Sequence, residues 1–140
     1  MKKLTYLLAL VILVSGCATI NTIKQIPDGS GKSKTYSYPY DKVFKASINA
    51  IKNFQFEIID INKASGYIYA QKRGKIAQGA GEVLNIRFTQ IKENSTKVEV
   101  IARILLMFGK TANMDTEPLS PFHSESIFQN IEFELEELQK

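Results

Sequence analysis

Apolar and polar positions change period several times along the chain, and each change marks an element. Lys34 to Tyr38 alternates polar residues with Tyr36 and Tyr38, a short strand that Pro39 ends. From Asp41 to Asn53, Val43, Phe44, Ile48 and Ile51 fall on one side of a 3.6-residue repeat, with Ala46, Ser47 and Ala50 beside them. Lys42, Lys45, Asn49 and Lys52 fall towards the other side. This predicts an amphipathic helix starting near Tyr40 or Asp41, with the Asp41 carboxylate at the positive end of its dipole. The period then drops to two. Phe56 to Ile61 and Tyr67 to Gln71 are β-branched or alternating runs, and Asn62 to Gly66 joins them as the turn of a hairpin. Glu82 to Ile91 sets Leu84, Ile86 and Phe88 on one side against Asn85, Arg87 and Thr89 on the other. Glu93 to Thr96 turns the chain, and Lys97 to Met107 returns with Val98, Val100, Ala102, Ile104 and Leu106 inward. Ile101, Leu105 and Met107 make the end of that strand apolar on both faces, so cover is expected on both sides there.

The last element carries an N-terminal signature. Ser120 suits a cap and Pro121 the first helical turn, and Ile127, Phe128, Ile131, Leu135 and Leu138 form a stripe at spacings of three and four. Lys72 to Gly81 reads as a basic, then glycine-rich loop, and Phe108 to Leu119 as a loop long enough to be mobile or functional. The order β-α-β-β-β-β-α, with hairpins in its middle, predicts an α+β fold. In it, an antiparallel sheet of four to five strands carries two helices packed on one face.

The first residues follow a different logic. Lys2 and Lys3 form a short basic region, and Leu4 to Val14 is an apolar run broken only by Thr5 and Tyr6. At about eleven residues the run fits a secretory leader and falls short of the ~20 needed to span a bilayer. Val14-Ser15-Gly16-Cys17 closes it, and Cys17 is the only cysteine in the chain. This stretch resembles the lipobox of bacterial lipoproteins. The resemblance implies that residues 1–16 are a signal peptide removed by cleavage before Cys17, with acyl chains on the Cys17 thiol and on the new α-amine. Several acyl chains meet the requirement for stable anchoring, at ~0.8 kcal/mol per buried methylene. Ala18 follows the cysteine where Asp commonly marks inner-membrane retention, so the resemblance also implies an outer-membrane location facing the periplasm. A lone cysteine makes no intrachain disulfide, and the exported domain must be held by its core.

Thr19 to Lys34 contains Pro27, Gly29, Ser30, Gly31 and Ser33 among polar neighbours. It predicts a flexible tether, residues 17–34, ahead of a single α+β domain at 35–140; about sixteen such residues reach roughly 20–25 Å. Gly29-Ser30-Gly31-Lys32-Ser33 imitates the tail of a phosphate-binding loop, but Ile26 stands where that pattern needs glycine and Pro39 follows too soon for its helix. The formal charge of +4 falls by two when Lys2 and Lys3 leave with the leader. Glu125, Glu132, Glu134, Glu136 and Glu137 concentrate negative charge in the last helix against a basic body, a pattern of ion pairing and solvation that argues against a nucleic-acid partner.

Catalytic chemistry finds little to stand on. His123 is the only histidine, and with Cys17 acylated no triad, no metal set and no cofactor motif can be assembled. Gly74, Gly79 and Gly81 match neither dinucleotide nor phosphate-loop spacing, and the Glu132 to Glu137 acids alternate with core positions on a helix. The expectation is a non-enzymatic protein with no catalytic residues, no metal and no cofactor.

Beyond the lipobox, Tyr36-Ser37-Tyr38 leading into Asp41-Lys42-Val43-Phe44, and the Ser65-Gly66-Tyr67-Ile68 turn-and-strand, look like small uncharacterised bacterial lipoproteins. The layout is also similar to the compact domains of BamC-like accessory lipoproteins. The likeness implies fold and location, and offers no catalytic residues. One constellation remains. If the helices cover one face, Tyr67, Tyr69, Gln71, Arg87, Thr89 and Arg103 share the open one, and tyrosine with arginine is the mix enriched at interaction surfaces. Tyrosines also line the solvent side of sheets for strand propensity alone. Two functions are expected: a membrane-anchored interaction module with an envelope protein partner or, alternatively, a ligand-binding lipoprotein taking a glycan, a peptidoglycan fragment or lipid.

Overall fold

The computed structural model describes residues 24, 26–72, 81–105, 111–113 and 124–140. The lipobox with Cys17, the Ser120–Pro121 helix start, His123, Gly74 and Gly79 lie outside the described residues. The elements run β1 (Lys32–Tyr36), α1 (Tyr40–Asn53), β2 (Glu57–Asn62), β3 (Tyr67–Lys72), β4 (Gly81–Lys92), β5 (Ser95–Leu105), β6 (Thr111–Asn113) and α2 (Ser124–Glu137). The strands form one antiparallel sheet in the order β1-β5-β4-β3-β2, with β6 also paired to β5. This is the expected α+β layout. The three-residue β6 is an addition, falling inside the stretch expected to be loop.

Alternation decides which side chains point where. Ile68 and Ala70 from β3, Leu84, Ile86 and Phe88 from β4, and Val98, Val100 and Ala102 from β5 are buried in one cluster with both helices. α1 contributes Val43, Phe44, Ala46, Ala50 and Ile51, and α2 contributes Ile127, Phe128, Ile131 and Leu135. The buried stripe of α1 is turned towards its small residues, so Ser47 is fully buried and Ile48 only partly so. Small side chains let the helix approach its neighbours closely, and the Ser47 hydroxyl is satisfied by donating to the Val43 carbonyl at 2.8 Å. Tyr36 ties β1 to α2: its buried hydroxyl donates to the Phe128 carbonyl at 3.2 Å. Burial, with the Glu132 and Glu125 carboxylates adding, pushes that phenol far above its ordinary range. The helices meet along a polar seam, where the Asn53 amide donates to Glu134 at 2.7 Å and to Asn130 at 3.0 Å, and Asn49 donates to Glu134 at 2.9 Å.

Two boundaries differ from the sequence reading. β1 begins at Lys32 and ends at Tyr36, two residues earlier at each end than expected. Tyr38 leaves the ladder because Pro39 has no N–H to donate and serves instead as the N-cap of α1; the Tyr38 carbonyl accepts from the Thr96 hydroxyl at 3.0 Å. The β4–β5 turn is also shorter. Ser95 and Thr96 belong to β5, leaving Glu93 and Asn94 between the strands.

Candidate functional site

The side of the sheet away from the helices is set by cross-strand rows. Tyr67, Arg87 and Glu99 stand opposite one another across β3, β4 and β5; Tyr69, Asn85 and Ile101 form the next row, and Gln71, Val83 and Arg103 the one after. Thr89 pairs with Lys97 on the other side of the Arg87 row. All six residues of the expected face therefore do share one side of the sheet. That side is not open along its length. Val83, Asn85, Glu99 and Ile101 are buried, with exposures of 3%, 0%, 6% and 2%.

Part of the cover is the stretch expected to be free tether. Lys24 and residues Ile26–Gly31 lie across the outer face as a strap. Lys24 Nζ pairs with Asp60 on β2 at 2.7 Å and stands 5.2 Å from the centre of the Tyr69 ring. The Ile26 carbonyl accepts from Arg87 Nη2, and the Asp28 carboxylate faces Arg87 Nη1. Further on, the Gly31 N–H donates to Glu99 Oε1 at 2.8 Å. The strap thus crosses from the β2–β3 edge over β4 to β5, and the chain then turns into β1. Gly31 has to be glycine for this approach, since a Cβ there would stand 2.4 Å from the Val100 carbonyl oxygen and 2.7 Å from Ile101 Cγ1. The strap is not legible in the sequence because its hydrogen bonds to Arg87 and Glu99 use the Ile26 carbonyl and the Gly31 N–H, backbone groups that carry no side-chain signature.

Beside the strap lies a cleft of about 300 Å³. Tyr67, Tyr69, Arg87 and Thr89 line it, with Lys97, Glu99, Asp28 and the Ser65-Gly66 turn. The two tyrosine rings stand 4.8 Å apart at 44°. Gln71 and Arg103 do not reach it; they sit at the far end of the same face, beyond the Tyr69 row. The side chains the cleft adds to the expected set are Lys97, Glu99 and Asp28, and alternation along β5 carried the signal for the first two. A second hollow of about 380 Å³ lies across the same turn, lined by Tyr40, Lys63 to Gly66, Phe88, Thr89 and Gln90. Tyr40 fixes its shape by donating to the Lys63 carbonyl at 2.6 Å and packing on Phe44 and Phe88.

The cleft offers two cations, two carboxylates and two phenols tilted against each other, and each charged group at its strap side already faces a partner. Among the described residues, no three His, Cys, Asp or Glu side chains gather as a metal set, and no helix is long and apolar enough to cross a membrane.

Among solved structures, the chain is similar to a DUF4468 family protein from Bacteroides ovatus ATCC 8483, at 15% sequence identity and a TM-score of 0.35, with 81% of this chain and 85% of that chain covered. No curated protein gives a significant match. A family model does: the one described as protein of unknown function (DUF3568) matches residues 2–104, and the chain belongs to that family.

Proposed function

We propose that this chain is a lipid-anchored, non-enzymatic interaction module of the bacterial envelope, held through Cys17 and facing the periplasm from the outer membrane. The anchoring half of the reading rests on the basic start, apolar run and Val14-Ser15-Gly16-Cys17. The interaction half is carried by one observation: Tyr67, Tyr69, Arg87 and Thr89 converge on a single cleft on the outer face. Rigid phenols bring large contact area at low entropic cost, and an arginine fork brings directed hydrogen bonding to carboxylates. The tilted Tyr67–Tyr69 pair also favours the second reading, a glycan stacked on the rings.

Pull-down from detergent-solubilised envelopes separates the two. The module reading expects a stoichiometric protein partner whose capture is lost on Tyr69→Ala and on Arg87→Ala. Co-sedimentation with peptidoglycan and no protein partner would overturn it in favour of glycan binding. The anchor is tested by mass. Mature protein should start at Cys17 carrying acyl chains, and Cys17→Ser should accumulate at full length.

A further inference from the structure

The strap and the surface beneath it are unequal. No described strap residue is buried: Ile26 and Gly31 are half-buried, and the others are exposed. The floor is a built one, with Asn85, Ile101 and Glu99 buried and the Arg87 side chain only 16% exposed. The Asp28 side chain remains 89% exposed, and its carboxylate faces Arg87 Nη1 as a charge contact without an aligned N–H. A charge contact that leaves one partner this exposed contributes little to holding a segment down. The order of contacts is also generic. A backbone carbonyl meets Arg87, a carboxylate two residues later meets the same guanidinium, and a backbone N–H three residues after that meets Glu99. An extended chain with one suitably placed acid, and a glycine three residues beyond it, can make the same set. Past Asp28 and Gly29 the cleft continues to Lys97, an exposed cation, and to Tyr67 and Thr89, so an incoming chain has somewhere to begin before the strap leaves.

We propose that this outer-face groove is the receptor for an extended segment of a partner protein that carries one acidic residue opposite Arg87, and that Lys24 with Ile26–Gly31 is its resident, displaceable occupant. The proposal rests on the interaction-module reading and specifies the partner's chemistry. It makes a thermodynamic demand that a merely structural strap does not. A partner that needs the groove free binds with an apparent affinity reduced by the fraction of chains whose strap is open. Loosening the strap must therefore tighten partner binding.

The probe is a fluorescent, acetylated peptide with the sequence of residues 24–34, compared with the same peptide carrying Asn in place of its Asp. Both are titrated against the mature full-length chain. The Asp peptide should bind the unaltered chain weakly and the Asp28→Ala chain at least threefold more tightly, while the Asn peptide binds at least threefold more weakly to each. Arg87→Gln should abolish binding of the Asp peptide and speed hydrogen exchange at the Gly31 amide. Because Asp28 is exposed, Asp28→Ala carries the test even if the Arg87 variant misfolds. Equal affinity for the two peptides, equal affinity of the unaltered and Asp28→Ala chains, or no binding to Asp28→Ala would overturn the proposal. Displacement of the bound peptide by soluble peptidoglycan fragments would overturn it too, assigning the groove to glycan. An envelope partner captured equally by the unaltered and Asp28→Ala chains, and lost on Arg87→Ala, would leave the module reading standing and sink this one. Peptide binding as expected with no envelope partner would do the reverse.

Discussion

Gln55 sits at φ +62° two residues past α1, in the left-handed region where a side chain is strained. The helix is closed there by the Phe56 N–H donating to the Ile51 carbonyl at 3.1 Å and the Gln55 N–H to Lys52 at 2.8 Å, a termination that normally uses glycine. Gln55→Gly removes the Cβ strain, about 1–2 kcal/mol, and gives back part of it in unfolded-chain entropy. The expected outcome is a gain of about 0.5–1 kcal/mol in denaturant unfolding at unchanged m value. Gly66 is the opposite case. At φ +70° it brings its carbonyl to the Phe88 N–H at 2.8 Å, and a Cβ would stand 2.6 Å from the Phe88 carbonyl oxygen. Gly66→Ala combines left-handed strain with a backbone clash and should cost about 2 kcal/mol or more, deforming the two hollows that share this turn. Of these positions, Gly66 was legible: a glycine closing an Asn-Lys-Ala-Ser run between two strands is turn chemistry. Gln55 was not, because its side chain is a good helix former and the strain is imposed by where β2 must start.

Elements with a strong period were legible and the strap was not. α1, the β2–β3 hairpin, β4, β5 and the apolar stripe of α2 all follow from spacings of two or of three and four, because each buries one face against the other layer. The outer face shows where that logic stops. Ile101 is buried among polar neighbours on its side of the sheet, beside Gly31 of a crossing segment whose composition is that of a linker. The strap's stability should depend on pH with a sign fixed by Lys24 and Asp60. The hydrogen bond from Lys24, then its charge, holds the Asp60 carboxyl below its ordinary range, against some desolvation. The same hydrogen bond raises Lys24. A lowered carboxyl contributes above its unfolded value and loses that contribution as pH falls through the folded one; a raised amine loses its contribution as pH climbs through the raised value. The Lys24 end of the strap is therefore held across neutral pH and loosened at both limits. The Tyr69 ring resonances, beneath Lys24, should shift on acidification below the ordinary aspartate range, and Asp60→Asn should remove that acid step. An acid step of unchanged size in Asp60→Asn would mean that another carboxylate holds the strap.

At the scale of the whole molecule, the strap changes what an anchor at Cys17 does to the domain. A chain free from Cys17 to Lys34 could extend to roughly 55 Å, whereas one pinned at Lys24 has seven Cα steps, at most roughly 25 Å. The pin also has a direction, since Lys24 is fastened to Asp60 at the β2 edge, on the side of the sheet away from the helices. An anchored molecule should therefore rest with β2 towards the bilayer and the α1–α2 layer away from it. Ile61 on β2 and Phe133 on α2 are 43% and 56% exposed, so either accepts a reporter without disturbing the core. Acylation of Cys17 would leave an introduced Ile61→Cys or Phe133→Cys as the single reactive thiol. In vesicles carrying a headgroup quencher, a fluorophore at position 61 should be quenched more strongly than one at position 133. Adding Lys24→Ala should shrink that difference, because the domain then turns on the longer lead. Equal quenching at the two positions with the strap intact would show that the pin sets no orientation. A difference that survives Lys24→Ala would place the orienting contact elsewhere on the domain.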